Sequence, residues 1–371
     1  MKTIAKKWLT KLGRYETGKP IEEAARELGF DNAENIIKLA SNENALGPSP
    51  RAVRAMKKAA AQMHRYPDSG AFYLRNALAE KLRIQPDQIL IANGSNEIIE
   101  FIGHVFLDRE AEAVISDHAF AIFRLIVEMF EARPVIVPMR DFTHDLRAMR
   151  AAVTPRTKVV FVANPNNPTG TMVKPDELHA FMEKAPPHAV VVLDEAYLEL
   201  LPPAQQPDTL RYVRAGRKVI VLRTFSKTYG LAGLRVGYAI APAEGIEMMA
   251  KIRQPFNVNA MALAAAAAAL KDDVFVAKTR QMVGEGLRFF EDEFRRSGIE
   301  YIPSAANFML VKVGNGRKIF NEMQKKQVIV RPMDGYNLPE YIRITVGRPA
   351  ENKRCLRALQ QVLSGAKIRR A

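Results

Sequence analysis

Lys227 stands in Thr224-Phe225-Ser226-Lys227-Thr228-Tyr229-Gly230, and Arg235 follows eight residues later, beyond a Gly-Leu-Ala-Gly turn. A primary amine set among small and hydroxyl residues, just after the apolar run 218–222 and inside a Gly-rich loop, is placed to form a Schiff base with pyridoxal phosphate. Thr224 and Arg235 would then hold the cofactor phosphate. A lone lysine is by default a solvated surface charge, so this reading needs partners elsewhere in the chain.

Other loops supply them. Asp194 closes the apolar run Val190-Val191-Val192-Leu193 and precedes Glu195-Ala196-Tyr197. A carboxylate at the end of a strand can hold a protonated pyridine nitrogen and make the ring an electron sink, although an Asp there also suits a simple cap. The stretch Asn164-Pro165-Asn166-Asn167-Pro168-Thr169-Gly170 reads first as a turn. In this company the Asn167 amide and the Tyr197 hydroxyl can both donate to the cofactor's phenolic oxygen and favour its anion. Gly94-Ser95-Asn96 follows another apolar run and opens a helical segment, whose free N–H groups suit a phosphate; Ser95 as a plain helix cap is the compatible alternative. Phe120 can stack on a pyridine ring, or fill a core.

Positioning these groups requires strands. Apolar runs bounded by turn residues occur at 88–92, 112–115, 134–138, 157–163, 189–193, 218–222 and 235–240, alternating with helix-like segments. That alternation predicts an α/β fold, a mostly parallel sheet covered on both faces, with chemistry on the loops at its strand ends. We expect this large domain over 45–255. Beyond it come helical stretches at 259–270 and 275–297, extended segments at 299–313, 328–331 and 341–346, and a last helix, a smaller α+β domain over 256–371. The Ala-rich run 262–270 reads as a packed helix, because Ala has the best helix propensity and permits close approach. An N-terminal arm over 1–44, with a helix near 21–28, is expected to cross back onto the smaller domain.

The 371 residues, 48% of them hydrophobic, exceed what one core usually serves. There is no run of 18 apolar residues and no apolar segment after the basic N-terminus, so we expect a soluble cytoplasmic protein without a membrane partner. The single Cys355 excludes an intramolecular disulfide, and the six His lack ligand spacing, so no metal site is expected. The formal charge of +15 is scattered along the chain without a nucleic-acid-binding motif, and would serve instead to attract anionic substrates.

Taken together these residues resemble the fold-type I pyridoxal phosphate aminotransferases, and specifically the histidinol-phosphate aminotransferase family, along nearly the whole chain. The resemblance rests on 38–44 (KLASNEN) with 46–50, Arg65-Tyr66-Pro67-Asp68, 164–170, 194–197, 226–237, and Arg331 through 342–347 (IRITVG). It implies that Lys227 is the Schiff-base lysine and proton shuttle, that Asp194 pairs with the pyridine nitrogen, and that Asn167 and Tyr197 face the phenolic oxygen. Gly94, Ser95, Asn96, Thr224, Ser226 and Arg235 would hold the phosphate, Phe120 would stack, and Tyr66 would reach in from the second subunit of a homodimer. Arg343 would fork onto the substrate anion with Arg331, Tyr15 and Asn44 beside it, serving histidinol phosphate and then glutamate or 2-oxoglutarate. Phe at both 120 and 123 departs from the Tyr common in relatives, so Phe120 can only stack, and Ala45 stands where Pro is common. An aromatic amino acid aminotransferase, a related decarboxylase of a phosphorylated amino acid, and a basic binding protein on an old enzyme scaffold are the competing readings.

Overall fold

The structure, a computed structural model, describes residues 1, 3–13, 18, 20–30 and 32–368. Its strands in chain order are β1 (Ile37–Lys38), β2 (Ile89–Ala92), β3 (Glu112–Ser116), β4 (Arg133–Val137), β5 (Thr157–Ala163), β6 (Val190–Asp194), β7 (Val219–Thr224), β8 (Gly237–Ile240), β9 (Tyr301–Ile302), β10 (Phe308–Lys312), β11 (Val328–Ile329), β12 (Arg331–Pro332) and β13 (Tyr341–Thr345). Seven of them form one sheet in the order β2-β8-β7-β6-β5-β3-β4, parallel throughout except for β8, which runs against both its neighbours.

The near-continuous apolar character of β3, β5, β6 and β7 follows from this arrangement, since a strand covered on both faces has no side facing water. Ile98, Ile99 and Ile102 of the helix Ser95–Phe106, with Phe123 and Ile126 of the helix Ala121–Met129, cover one face. Leu74 and Leu78 of the helix Phe72–Leu82, Leu178 and Phe181 of Pro175–Glu183, and Ala262 and Ala266 of Ala260–Ala269 cover the other. The Ala-rich run is thus a helix inside the core of the seven-stranded sheet.

A second sheet, β12-β13-β10-β9, is antiparallel. Its core joins Met309 and Val311 of β10 and Ile342 and Ile344 of β13 to Phe290 and Phe294 of the long helix Asp273–Ser297 and to Leu359 of the helix Pro349–Ile368. The arm returns to this core: Ala24 and Ala25 of the helix Ile21–Leu28 are buried in it, and β1 pairs in parallel with β11. The helix Asp273–Ser297 spans both cores, with Val276 in that of the large sheet and Phe290 and Phe294 in that of the second. Cys355 is fully buried there, and burial pushes its thiol up to about 12, so it is a packed, unreactive side chain.

Two extended segments differ from expectation. The stretch 299–313 folds back on itself as β9 and β10, and 328–331 divides between β11 and β12, which belong to different sheets. The last expected strand of the large sheet starts at Gly237, because Arg235 sits in the left-handed region at φ 54° and closes the preceding turn. Among the described residues no helix is long and apolar enough to cross a membrane, and no group of three or more His, Cys, Asp or Glu could hold a metal ion.

Candidate active site

A cavity of about 400 Å³ opens where the C-terminal ends of β2, β3, β5, β6 and β7 face the second sheet and the arm. Lys227, Asp194, Tyr197, Asn167, Phe120, Ser95, Asn96, Thr224, Ser226, Arg235, Arg331 and Arg343 all line it. These residues come from seven separate segments: five are brought together because parallel strands deliver their outgoing loops to one edge, and Arg331 and Arg343 come from the antiparallel second sheet facing it.

Lys227 reaches the centre, its Nζ donating to the Ser41 carbonyl at 3.3 Å and lying 5.7 Å from the centre of the Tyr197 ring. Burial, with the positive charge of Arg343 adding to it, pushes this amine down to about 8. Asp194, the last residue of β6, is pushed the other way, up to about 6, chiefly by burial. One of its oxygens accepts the Ala196 N–H at 3.0 Å. Behind it, Glu195 pairs with the buried Arg223 at 2.8 Å and accepts from Thr209, which anchors the strand end from the far side.

One end of the cavity is built for an anion. Gly94 is the cap of the helix Ser95–Phe106 and Ser95 its first residue, so the Ser95 side chain does not cap the helix and lines the cavity instead. This corrects the capping alternative: with Gly94 at φ 86°, the turn places the glycine where a cap would stand. A Cβ on Gly94 would lie 2.6 Å from Arg235 Nη2, so a larger residue would push the guanidinium away from the helix N-terminus, and the φ of 86° itself favours glycine. Gly237 serves the same closeness, since a Cβ there would come within 2.7 Å of the Ser95 backbone nitrogen. Thr224 Oγ1 and Ser226 Oγ lie 3.0 Å apart on the adjoining loop.

The other end carries Arg331 and Arg343, cross-strand partners on β12 and β13. Arg343 is buried, donating to Asn167 Oδ1 and to the Ala40 carbonyl at 2.8 Å. Because a guanidinium can only donate, this contact fixes Asn167 with its oxygen toward Arg343 and its NH2 on the opposite side. The Tyr197 hydroxyl accepts from Asn42 Nδ2 at 3.0 Å. Phe120 lines the cavity while Phe123 stacks on Phe161 in the core, which separates the two positions by function.

Three expected residues do not join this group. Asn44 spends both amide hydrogens on the Thr228 carbonyl and Thr279 Oγ1, at 3.0 and 3.1 Å, and so ties the arm to the large sheet without facing the cavity. Tyr66 is 82% exposed and stacks on Phe256 with ring centres 4.7 Å apart, outside this chain's own cavity. Tyr15 lies outside the described residues. Conversely, Ser41, Asn42 and Tyr336 line the cavity without having been singled out. The first two sit inside the 38–44 motif; Tyr336 lies in a short 3-10 turn with no local signal.

The residues present suit pyridoxal phosphate: a buried amine, a buried carboxylate raised by desolvation and able to gain a cationic partner, and a helix N-terminus at Gly94 and Ser95 with the Arg235 guanidinium packed beside it. The profile of the family "Aminotransferase class I and II" matches residues 34–359. A histidinol-phosphate aminotransferase of Akkermansia muciniphila is 51% identical over 364 residues, covering 98% of this chain and 99% of that one. The chain belongs to the histidinol-phosphate aminotransferase family. The crystal structure of a family member from Sinorhizobium meliloti, in complex with pyridoxal-5'-phosphate, has a TM-score of 0.89 at 28% identity and covers 98% of both chains. An aspartate aminotransferase from Thermus thermophilus, with maleate, shares the fold at a TM-score of 0.84 and 21% identity, covering 96% of this chain and 99% of its own. The fold is thus that of the fold-type I transferases, as the alternation of strands and helices together with the resemblance predicted.

Proposed function

We propose that this protein is a histidinol-phosphate aminotransferase of histidine biosynthesis, carrying pyridoxal phosphate on Lys227 and exchanging the amino group with glutamate and 2-oxoglutarate. The observation that carries the reading is a buried amine, held near 8, between an anion cradle at Gly94, Ser95 and Arg235 and a pair of arginines at 331 and 343. Two anion sites flanking one amine suit a phosphorylated cofactor and a phosphorylated substrate together.

When bound, the cofactor supplies an electron sink conjugated to the substrate's amine-bearing carbon. Lys227 Nζ is the group that would hold the cofactor's aldehyde and, once displaced by substrate, move the proton of that carbon. Its lowered basicity leaves about a tenth of the amine neutral at pH 7, far more than an ordinary lysine would have. Asp194 would sit against the pyridine nitrogen and be drawn to its ionised form by that cation. Asn167 Nδ2 and the Tyr197 hydroxyl would donate to the phenolic oxygen, and Phe120 would cover the ring. Asn96, Thr224 and Ser226 complete the phosphate cradle. Arg343 and Arg331 would orient the substrate phosphate and, in the return half-reaction, the carboxylates of glutamate.

The reading includes a homodimer. Tyr66 stacks on Phe256 while largely exposed, and Phe72 and Tyr73 form a second exposed aromatic pair six residues on, large apolar side chains that support an association surface. Tyr66 lies in it and would reach the partner's cavity. The arm over 1–44, large unit over 45–255 and small unit over 256–371 belong to the same proposal, with the helix Ala260–Ala269 lent to the core of the large one. A cytoplasmic location and the absence of nucleic-acid or membrane partners complete it, supported by the single buried thiol and the dispersed charge.

The test is a half-reaction. Cofactor-loaded protein is mixed with histidinol phosphate, and separately with phenylalanine, in the absence of any keto acid, and the cofactor absorbance is followed. Rapid conversion to the amine form with histidinol phosphate supports the proposal. Conversion with phenylalanine alone would make the protein an aromatic amino acid aminotransferase.

A further inference from the structure

A chain of buried hydrogen bonds ends on Tyr197, and the donor and acceptor of each link are compatible with those of the next. Thr345 Oγ1, on the last residue of β13, accepts the backbone N–H of Asn42 at 3.0 Å. A hydroxyl that accepts there is free to donate its own proton, and Asn42 Oδ1 lies 3.1 Å away. With its oxygen so occupied, the Asn42 amide presents Nδ2 to Tyr197 Oη, where it donates at 3.0 Å. The backbone around Asn42 is held as well: φ is 56°, a region open to Asn, and its carbonyl accepts from Asn307 Nδ2 at 3.0 Å. Asn42, Thr345 and Asn307 are each no more than 3% exposed, so these bonds are largely shielded from bulk water.

We propose that Asn42 and Thr345 are positioning residues that bias the polarity of the Tyr197 hydroxyl: by donating to its oxygen, Asn42 favours use of the hydroxyl proton as a donor on the cavity side. Resting on the reading of Tyr197 as a donor to the cofactor's phenolic oxygen, the inference adds what sets that direction. A backbone N–H cannot reverse, and from it Thr345, Asn42 and Tyr197 follow in order. The relay starts in the arm, passes through β13 and ends on the loop after β6, so no single segment contains it.

Four variants of the cofactor-loaded protein decide the matter, read by the pH midpoint of the bound cofactor's visible absorbance. Tyr197→Phe removes the donor and should raise the midpoint, because the phenolic anion loses a hydrogen bond. Thr345→Val keeps the shape but removes the relay hydroxyl, leaving the Asn42 amide free to turn, and should raise the midpoint by up to about one pH unit, the size of one hydrogen bond. Thr345→Ser restores the hydroxyl and should restore the wild-type value. Asn42→Asp offers acceptors on both sides, draws the Tyr197 proton away from the cavity, and should raise the midpoint even if Thr345→Val does not fold. A wild-type midpoint in Thr345→Val or Asn42→Asp, with Tyr197→Phe shifted, overturns the relay and leaves the role of Tyr197 intact. No shift in Tyr197→Phe itself, or no pH-dependent band in the wild type, overturns the underlying reading and the relay with it.

Discussion

At the scale of single residues, the site is governed by what burial does to charge. Burial and Arg343 together push Lys227 down to about 8. The neutral amine is the nucleophile, so capture of pyridoxal phosphate by the apoprotein should quicken as pH rises and level off above about 8, where an ordinary lysine would still be gaining. Stopped-flow absorbance against pH tests this, and a plateau only above pH 10 would contradict it. Lys227→Ala should lose covalent capture and turnover, by about a thousandfold or more, while still binding the amine form of the cofactor. Asp194 is raised from 3.8 to about 6, so the folded chain holds that proton more tightly than the unfolded one. Its contribution to apoprotein stability is fully present below 3.8 and is lost as pH rises through about 6. The gap of about two units corresponds to roughly 3 kcal/mol. Asp194→Asn should therefore stabilise the apoprotein at pH 7 to 8 by up to that order, with a higher Tm, yet retain the cofactor less well in dialysis. A lower Tm together with normal retention would refute the account. A destabilised functional carboxylate of this kind is how a site trades stability for chemistry.

At the scale of elements, two glycines and one arm assemble the anion cradle. Gly94 takes a positive φ and leaves space that Arg235 fills, and Gly237 lets β8 start against the helix that Gly94 caps. Gly94→Ala should displace the Arg235 guanidinium as well as strain the turn. We expect about 1 kcal/mol or more of lost stability and at least a tenfold weaker uptake of pyridoxal phosphate. Calorimetry and absorbance titration measure the two separately; unchanged uptake would mean that Arg235 does not serve the phosphate. The arm is held by equally specific means. Asn44 bonds to the Thr228 carbonyl and Thr279, and β1 adds to β11. These contacts put Ser41 and Asn42 against Lys227 and Tyr197, which explains why the 38–44 motif matters although its best-looking polar residue, Asn44, faces elsewhere.

At the scale of the whole molecule, the cavity lies between two sheets, and an exposed aromatic pair lies outside it. The patch around Tyr66 and Phe256 should bury itself in a dimer, so the protein should elute at twice 41.5 kDa in light-scattering chromatography. Replacing Tyr73 and Phe72 by charged residues should shift it toward the monomer and depress activity, since the partner's Tyr66 would be withdrawn. A fully active monomer would sink this part of the proposal. The formal charge of +15 should also make capture of a phosphorylated substrate salt-sensitive, with KM rising with ionic strength more steeply than kcat falls.

The sequence by itself determined the alternation of strands and helices, because a strand covered on both faces is apolar through its middle, as residues 159–163 of β5 and 190–193 of β6 are. It also placed Lys227, Asp194 and Asn167 at or just after the ends of such strands, where they line one cavity. Only the tertiary structure decided which way those groups act. Asn167 turns its NH2 away from Arg343, Tyr197 takes its polarity from Asn42 and Thr345, and Gly94 rather than Ser95 caps its helix. Each depends on a partner hundreds of residues distant or on a backbone angle, and a hydrogen bond's direction is a property of the pair, which local residue patterns do not contain.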